Sequence, residues 1–230
     1  MNQDEALQNT TRLLKAISYF SGLDAAALRA AAQSAIRRVY DAGQVVILEG
    51  EPCTGLYIVE SGWLKAVKIG MDGREQVLQT LGPGEVFNAI SVFTDVPNQA
   101  TVTALETSRV RVVQREILLN MIDTQPALAR QVVQDLAGRV IHLVRLVEDL
   151  SLRSVEARLA RLLLEQAEGE TIPRQRWATQ AEMAARLGTV PDVVSRTLRK
   201  LAEMGIIKVE RHQIQILDKD GLLSIAQVAV

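Results

Sequence analysis

Thr179-Gln180-Ala181-Glu182-Met183-Ala184-Ala185-Arg186-Leu187-Gly188-Thr189-Val190-Pro191-Asp192-Val193-Val194-Ser195-Arg196-Thr197-Leu198-Arg199-Lys200-Leu201-Ala202-Glu203 reads as two short helices joined by a tight turn. Thr179 and Glu182 have the spacing of a capping box, in which each side chain satisfies a free N–H at the start of a helix. Met183, Ala184 and Leu187 recur at helical spacing and give the first helix one buried face. Gly188 permits the turn. Pro191 suits the first turn of the second helix, where its missing N–H costs nothing. Val194, Leu198 and Leu201 form the buried stripe of that helix. Two short helices around a glycine-containing turn are the helix-turn-helix pattern.

The second helix carries Asp192, Ser195, Arg196 and Arg199 away from its apolar stripe. Residues near the start of a recognition helix reach base edges in the major groove. Arg196 has the fork of donors that matches guanine O6 and N7, and Asp192 has acceptors for cytosine N4. Ser195 is short enough to let the helix approach a base edge or a thymine methyl. Arg199 is placed for a phosphate. Thr179, Gln180 and Thr189, at the two helix starts, complete the candidate DNA-binding set. Beyond the helix, Gly205-Ile206-Ile207-Lys208-Val209-Glu210 and Gln213-Ile214-Gln215-Ile216-Leu217 alternate as the two strands of a hairpin wing.

Upstream, the helical period extends from 151 to about 170, with Leu159, Leu162 and Leu163 on one face and a stop at Glu168-Gly169-Glu170 before Pro173. Between 114 and 150, Ala129, Val133, Leu136, Val140, Leu143, Val147 and Leu150 follow a 4-3-4-3-4-3 spacing. Val at successive a positions and Leu at d favour a parallel two-stranded seam. The expected seam is therefore Val133, Leu136, Val140, Leu143, Val147 and Leu150. Val144 and Leu146 widen the apolar face. From about 36 to 113 the pattern is short apolar runs broken by turns: Val45–Leu48, Gly55–Val59, Trp63–Ile69, Val77–Leu81 and Thr101–Leu105. Asp72-Gly73 has the signature of a hairpin turn. Strands of this length and spacing point to a small antiparallel sandwich or jelly roll. Residues 5–35 read as helices, with Leu7, Leu13, Leu14 and Ile17 on one face and a helix start at Ser21-Gly22-Leu23-Asp24. The expectation is an α+β chain in three parts: a jelly-roll domain with N-terminal helices over 1–113, a dimerisation helix over 114–150 and a winged helix-turn-helix over 151–230.

Charge supports that division. The chain has 230 residues, with 26 Lys plus Arg against 27 Asp plus Glu and a formal net charge of −1. That balance excludes a uniformly basic nucleic-acid coat, but net charge hides distribution. Residues 1–150 hold 14 basic and 17 acidic side chains, residues 151–230 hold 12 and 10, and within 171–211 the count is 8 against 4. Aromatics at 3% argue against stacking on single strands. The lone Cys53 excludes a disulfide framework, a cysteine zinc site and a four-cysteine iron–sulfur cluster. His142, off the heptad seam, and His212, at the wing tip, are poorly placed as haem ligands. No phosphate loop, nucleophile motif or zinc-protease motif is present, so no enzyme is expected. The N-terminus lacks a signal peptide and no apolar run reaches about 18 residues, so a cytoplasmic location and no membrane partner are expected.

Over nearly its whole length the chain resembles the Crp/Fnr family of bacterial transcription regulators. The resemblance is carried by Gly55-Leu56-Tyr57-Ile58-Val59-Glu60-Ser61-Gly62, by Gly82-Pro83-Gly84-Glu85-Val86-Phe87, by the heptad helix and by Val193-Val194-Ser195-Arg196-Thr197-Leu198. It implies a cyclic-nucleotide-binding-like jelly roll, a dimerisation helix and a winged helix-turn-helix. It further implies homodimers on palindromic sites in double-stranded promoter DNA, and RNA polymerase as a partner. Asp192, Ser195 and Arg196 match the Fnr branch, with Asp where that branch has Glu.

The resemblance places the effector pocket at Gly84, Glu85, Asn88, Ala89, Gln99, Ala100 and Leu143. The cAMP-binding members have a ribose-binding Glu and an Arg-Ser pair for the cyclic phosphate. This chain has Asn88-Ala89 and Gln99-Ala100 there, and a Gln cannot supply the charge-assisted pair of an Arg. Leu143 and Val144 stand where the cAMP receptor presents hydroxyls. The expected effector is something other than cAMP, of unknown identity, and no cofactor is expected. The alternative is a cyclic-nucleotide receptor with a rearranged phosphate pocket.

Overall fold

A computed structural model describes residues 3–94, 96–173 and 179–226. The chain divides into two compact units, residues 1–68 with 78–142 and residues 69–77 with 143–230. The first unit opens with three helices, α1 (Gln3–Ala16), α2 (Ser18–Ser21) and α3 (Ala25–Ser34). Asp24 caps α3 by accepting from the Ala27 N–H at 2.8 Å, as its placement before the Ala-rich run suggests. Eight strands follow: β1 (Ile36–Tyr40), β2 (Val45–Ile47), β3 (Gly55–Ser61), β4 (Leu64–Ile69), β5 (Glu75–Leu81), β6 (Val86–Phe87), β7 (Thr101–Ala104) and β8 (Ser108–Gln114). They form two four-stranded sheets, ordered β1-β8-β3-β6 and β2-β7-β4-β5.

The sandwich follows from side-chain alternation. Tyr57 and Val59 of β3, with Phe87, Val110 and Val112, face Val46, Ile47, Leu64, Leu81, Val102 and Ala104 of the other sheet in one buried cluster. Leu56 and Ile58 of the same strand point the opposite way, into a second cluster with Leu14, Phe20, Leu28, Leu118 and Leu128. β3 is therefore buried on both faces, which is why it reads as an unbroken apolar run rather than an alternation. Between β4 and β5 the turn at Asp72-Gly73 closes with the Gly70 N–H donating to Arg74 O at 2.8 Å. Gly73 there has φ +78°.

The helical stretch expected as one dimerisation segment over 114–150 is two helices, α5 (Arg115–Thr124) and α6 (Pro126–Leu152). The break falls at Gln125 because Pro126 has no N–H and disfavours helical backbone in the residue before it. Leu118 and Met121 of α5 are buried in the helical layer of the first unit. α6 has 27 residues, a length of about 40 Å at the usual rise per residue. Leu128 and Val132 bury its first turns, and Leu136 packs partly against the same layer. Val133, Val140, Val144 and Val147 are 59–66% exposed.

The second unit holds α7 (Val155–Gln166), β9 (Thr171–Pro173), α8 (Gln180–Leu187), α9 (Pro191–Glu203), β10 (Ile207–Val209), β11 (Gln213–Ile216) and α10 (Lys219–Ala226). Its strands form an antiparallel sheet ordered β10-β11-β9. The hairpin wing thus has a third strand, and a closing helix follows it. One apolar cluster unites the unit: Leu159 and Leu163 of α7, Met183 and Leu187 of α8, Val194, Leu198 and Leu201 of α9, and Ile207, Ile214 and Leu222 beyond.

Candidate nucleic-acid interface

The two helices of the quoted stretch meet through the contacts that their sequence requires. Thr179 Oγ1 accepts from the Glu182 N–H at 3.2 Å and starts α8. The Glu182 carboxylate lies 3.6 Å from the Arg186 guanidinium one turn on. Burial pushes the Arg186 guanidinium below its usual range, and Glu182 pulls it back. Gly188 ends α8 in the left-handed region, with φ +61°, and its N–H donates to Ala184 O. The Thr189 N–H donates to the same carbonyl at 2.9 Å. Val190 is extended, as a residue before proline must be, and Pro191 opens α9.

Packing then decides which side of α9 faces outward. Val194, Leu198 and Leu201 are buried. Asp192, Arg196 and Arg199 are exposed, and Ser195 is half-buried beside them. Thr179 and Gln180 are exposed at the start of α8, and Thr189 is half-buried in the turn. The seven residues expected to meet DNA therefore lie on α9, the turn before it and the start of α8, in one unit. Arg196 Nη2 and Asp192 Oδ2 form an ion pair at 2.8 Å. Lys200 is drawn aside, its Nζ donating to Glu156 Oε2 at 2.6 Å. In the wing turn, Arg211 and His212 are exposed, and the turn is held by Gln213 donating to Glu210 and by the Lys208–Glu210 pair at 2.8 Å. Each partner of that pair holds the other charged, so Lys208 is raised and Glu210 lowered from their ordinary values. Arg174 and Arg176, counted in the basic excess, lie outside the described residues.

α6 ends at an ion-pair junction beside this unit's first helix. Arg153 Nε lies 2.8 Å from Asp149 and its Nη2 lies 3.1 Å from Glu148, while Nη1 donates to Ala226 O at 3.0 Å. Arg161 of α7 reaches the same Asp149 oxygen, at 3.4 Å. Ser154 then caps α7 by accepting from the Ala157 N–H.

The expected effector segment has a polar interior of its own. Asn88 is the one non-glycine residue described with positive φ, at 69°. Its side-chain Nδ2 lies 3.3 Å from Cys53 Sγ, 3.2 Å from Gly55 O and 3.1 Å from Asn98 Oδ1. Asn98 is buried and donates to Leu48 O at 3.2 Å. Ala89 is buried at the start of α4 (Ala89–Phe93), and Ser91 donates to Pro97 O at 3.0 Å. Gln99 is exposed and folds back to donate to Pro97 O, with Ala100 half-buried after it. Glu85 accepts from the Gly82 N–H at 2.6 Å across the Gly84 turn. Leu143 belongs to the second unit and is 41% exposed. Burial pushes the Cys53 thiol up, away from the reactive thiolate.

A polar cluster that sequence reasoning missed fixes α6 in the first unit. Tyr19 donates to Asp135 at 2.6 Å, Arg139 Nε donates to the same oxygen at 2.6 Å, and Arg139 Nη1 reaches Gln79 at 2.9 Å. Burial and the neighbouring Asp135 push the Tyr19 phenol up. His142, one turn on, holds Leu78 O at 2.9 Å through Nε2. The i,i+4 spacing of Asp135 and Arg139 is the available signal; Tyr19 on α2 and Gln79 on β5, distant in sequence, leave none.

Residues 37–125 match the cyclic nucleotide-binding domain family, and residues 157–225 match the Crp-like helix-turn-helix domain family. The chain is 29% identical over 216 residues to the CRP-like cAMP-activated global transcriptional regulator of Mycobacterium tuberculosis, covering 91% of this chain and 96% of that protein. It is 29% identical over 190 residues to the cyclic AMP receptor protein of Thermus thermophilus, covering 83% of this chain and 88% of that one. Its fold is similar to that of FixK2 from Bradyrhizobium japonicum, with a TM-score of 0.75, 24% identity, and coverage of 85% of this chain and 99% of that one.

Proposed function

The chain belongs to the Crp/Fnr family of transcription regulators, and we propose that it binds a palindromic site in promoter DNA as a homodimer through α9, in the cytoplasm, acting on RNA polymerase. It is a regulator, not an enzyme. The observation that carries this reading is the outer face of α9, where Asp192, Ser195, Arg196 and Arg199 stand clear of a fully packed inner stripe. The dimer rests on the exposed valines of α6. Lone surface apolar residues are ordinary, but a row of them at heptad spacing on one helix is the surface that a second helix covers.

The effector reading rests on the loop before β7. Gln99 and Ala100 bring no cationic group to a cyclic phosphate, and Asn88 spends its donors on Cys53, Gly55 and Asn98. These contacts support a signal other than cAMP. The match of residues 37–125 to the cyclic nucleotide-binding family supports the second reading, a nucleotide receptor with a rearranged pocket. Titration calorimetry with cAMP and cGMP separates the two, since micromolar binding of either nucleotide favours the receptor.

DNase footprinting upstream of the protein's own gene tests the main reading. Two protected half-sites about one helical turn apart, roughly 34–36 Å, are expected of a symmetric dimer. Protection of a single half-site at every protein concentration would contradict the palindrome.

A further inference from the structure

We propose that Asp192 is a positioning residue that aims the Arg196 guanidinium at its base, and that it does not itself read a base. The inference rests on the DNA-binding reading above and narrows it. Asp192 and Arg196 stand one turn apart on α9, with the acid on the N-terminal side, the favourable order for an i,i+4 pair. Asp192 also lies in the first turn, where the helix dipole favours a negative charge. The pair closes at 2.8 Å although the two side chains are 67% and 77% exposed. No other ion pair involving either residue occurs among the described residues.

An exposed pair of this kind contributes little to stability. Its consequence is orientation. A guanidinium has five N–H donors in a fixed plane. Asp192 engages Nη2, and the remaining donors still include the two adjacent ones needed for guanine O6 and N7. A long side chain that would otherwise sample many rotamers is biased toward one direction before DNA arrives. Asp192 is also one methylene shorter than the Glu expected at this position from the family resemblance. Its carboxylate stays close to the helix surface, within reach of Arg196 and set back from the floor of the groove. DNA covering the pair lowers the surrounding dielectric and strengthens it.

The test uses the full chain and a duplex pool with two randomised half-sites, selected in parallel with the wild type, Asp192→Ala, Asp192→Asn, Arg196→Ala and the Asp192→Ala/Arg196→Ala double variant. Arg196→Ala should relax one base pair per half-site by about 5- to 150-fold. The proposal predicts that both Asp192 variants relax that same base pair, by about 5- to 10-fold, given that an exposed pair is worth up to about fivefold and a covered one more. The double variant should be no more relaxed there than Arg196→Ala alone. Relaxation at a different base pair, additive with Arg196→Ala, would show that Asp192 reads cytosine directly and overturn the proposal. So would an equal loss of affinity for every sequence, or an unchanged base preference in both Asp192 variants. A wild type that enriches no sequence would overturn the DNA-binding reading itself, and this inference with it.

Discussion

Arg196 and Arg199 sit three residues apart on the outer face of α9, both exposed, yet the proposed reading gives them different work. Arg196→Ala removes a fork that matches one base, so it should cost about 1–3 kcal/mol per half-site on the preferred sequence. Arg199 is proposed to meet a phosphate, so in Arg199→Ala affinity should fall about equally on all sequences and the slope of log affinity against log salt should flatten by about 1 per contact. Electrophoretic mobility shift at several salt concentrations separates the two, and a sequence-selective loss in Arg199→Ala would contradict the assignment. Gly188 gives a stability counterpart. At φ +61° an added Cβ would be strained and would stand 2.7 Å from Leu150 Cδ2, so Gly188→Ala should destabilise the second unit by about 1–2 kcal/mol, read as a lower thermal midpoint. At this scale the sequence was informative wherever chemistry is local. Thr179, Gly188 and Pro191 each do what their residue type and spacing predict. The Arg196–Asp192 pair is equally available at i,i+4, but residue type alone suggests two independent base contacts. In the sequence Asn88 stands out only as part of Asn88-Ala89, where the resemblance leads one to expect a ribose-binding Glu; its bonds to Cys53, Gly55 and Asn98 depend on residues brought together from 10 to 35 positions away.

The elements were legible in proportion to how strongly one pattern dominated them. α8, α9 and the wing strands carried caps, turn residues and alternation together. β3 stood out as an apolar run because it is buried on both faces. β8 does not stand out within 36–113 because Arg109 and Arg111 interrupt its valines; Arg111 is paired with Glu60 at 3.1 Å on the neighbouring strand. β6 and β9, of two and three residues, and the short α4 are too brief to show a period, and their existence depends on tertiary pairing. The heptad of α6 was read as one stripe, and packing divides its duties: Leu136 serves its own unit while Val140 and Val147 stay exposed. The prediction at this scale concerns the exposed part. A valine buried at a seam contributes about 1.5 kcal/mol, so if the proposed dimer forms through this stripe, Val140→Lys with Val147→Lys should convert it to monomer in sedimentation while leaving the far-ultraviolet circular dichroism unchanged. A dimer that persists in the double variant would place the interface elsewhere.

For the molecule as a whole, the near-neutral charge of −1 is the sum of an acidic majority and a basic minority concentrated at 171–211. That distribution suits the proposed reading, in which residues 151–230 meet DNA and the acidic majority of the chain does not. Three regions carry the proposal: a sandwich whose expected effector segment is internally bonded, a helix with an exposed apolar stripe, and a winged unit that presents α9. The central claim is that α9 reads sequence. Sequencing the genomic DNA retained by the purified protein tests it most directly, with no ligand added in one arm, a cyclic nucleotide in the other, and Arg196→Ala in parallel. The account predicts enrichment of one palindrome, with half-sites about one helical turn apart, without added ligand, and loss of one base preference per half-site in Arg196→Ala. Enrichment of no motif in either arm at moderate salt, or an unchanged motif in Arg196→Ala, would contradict it.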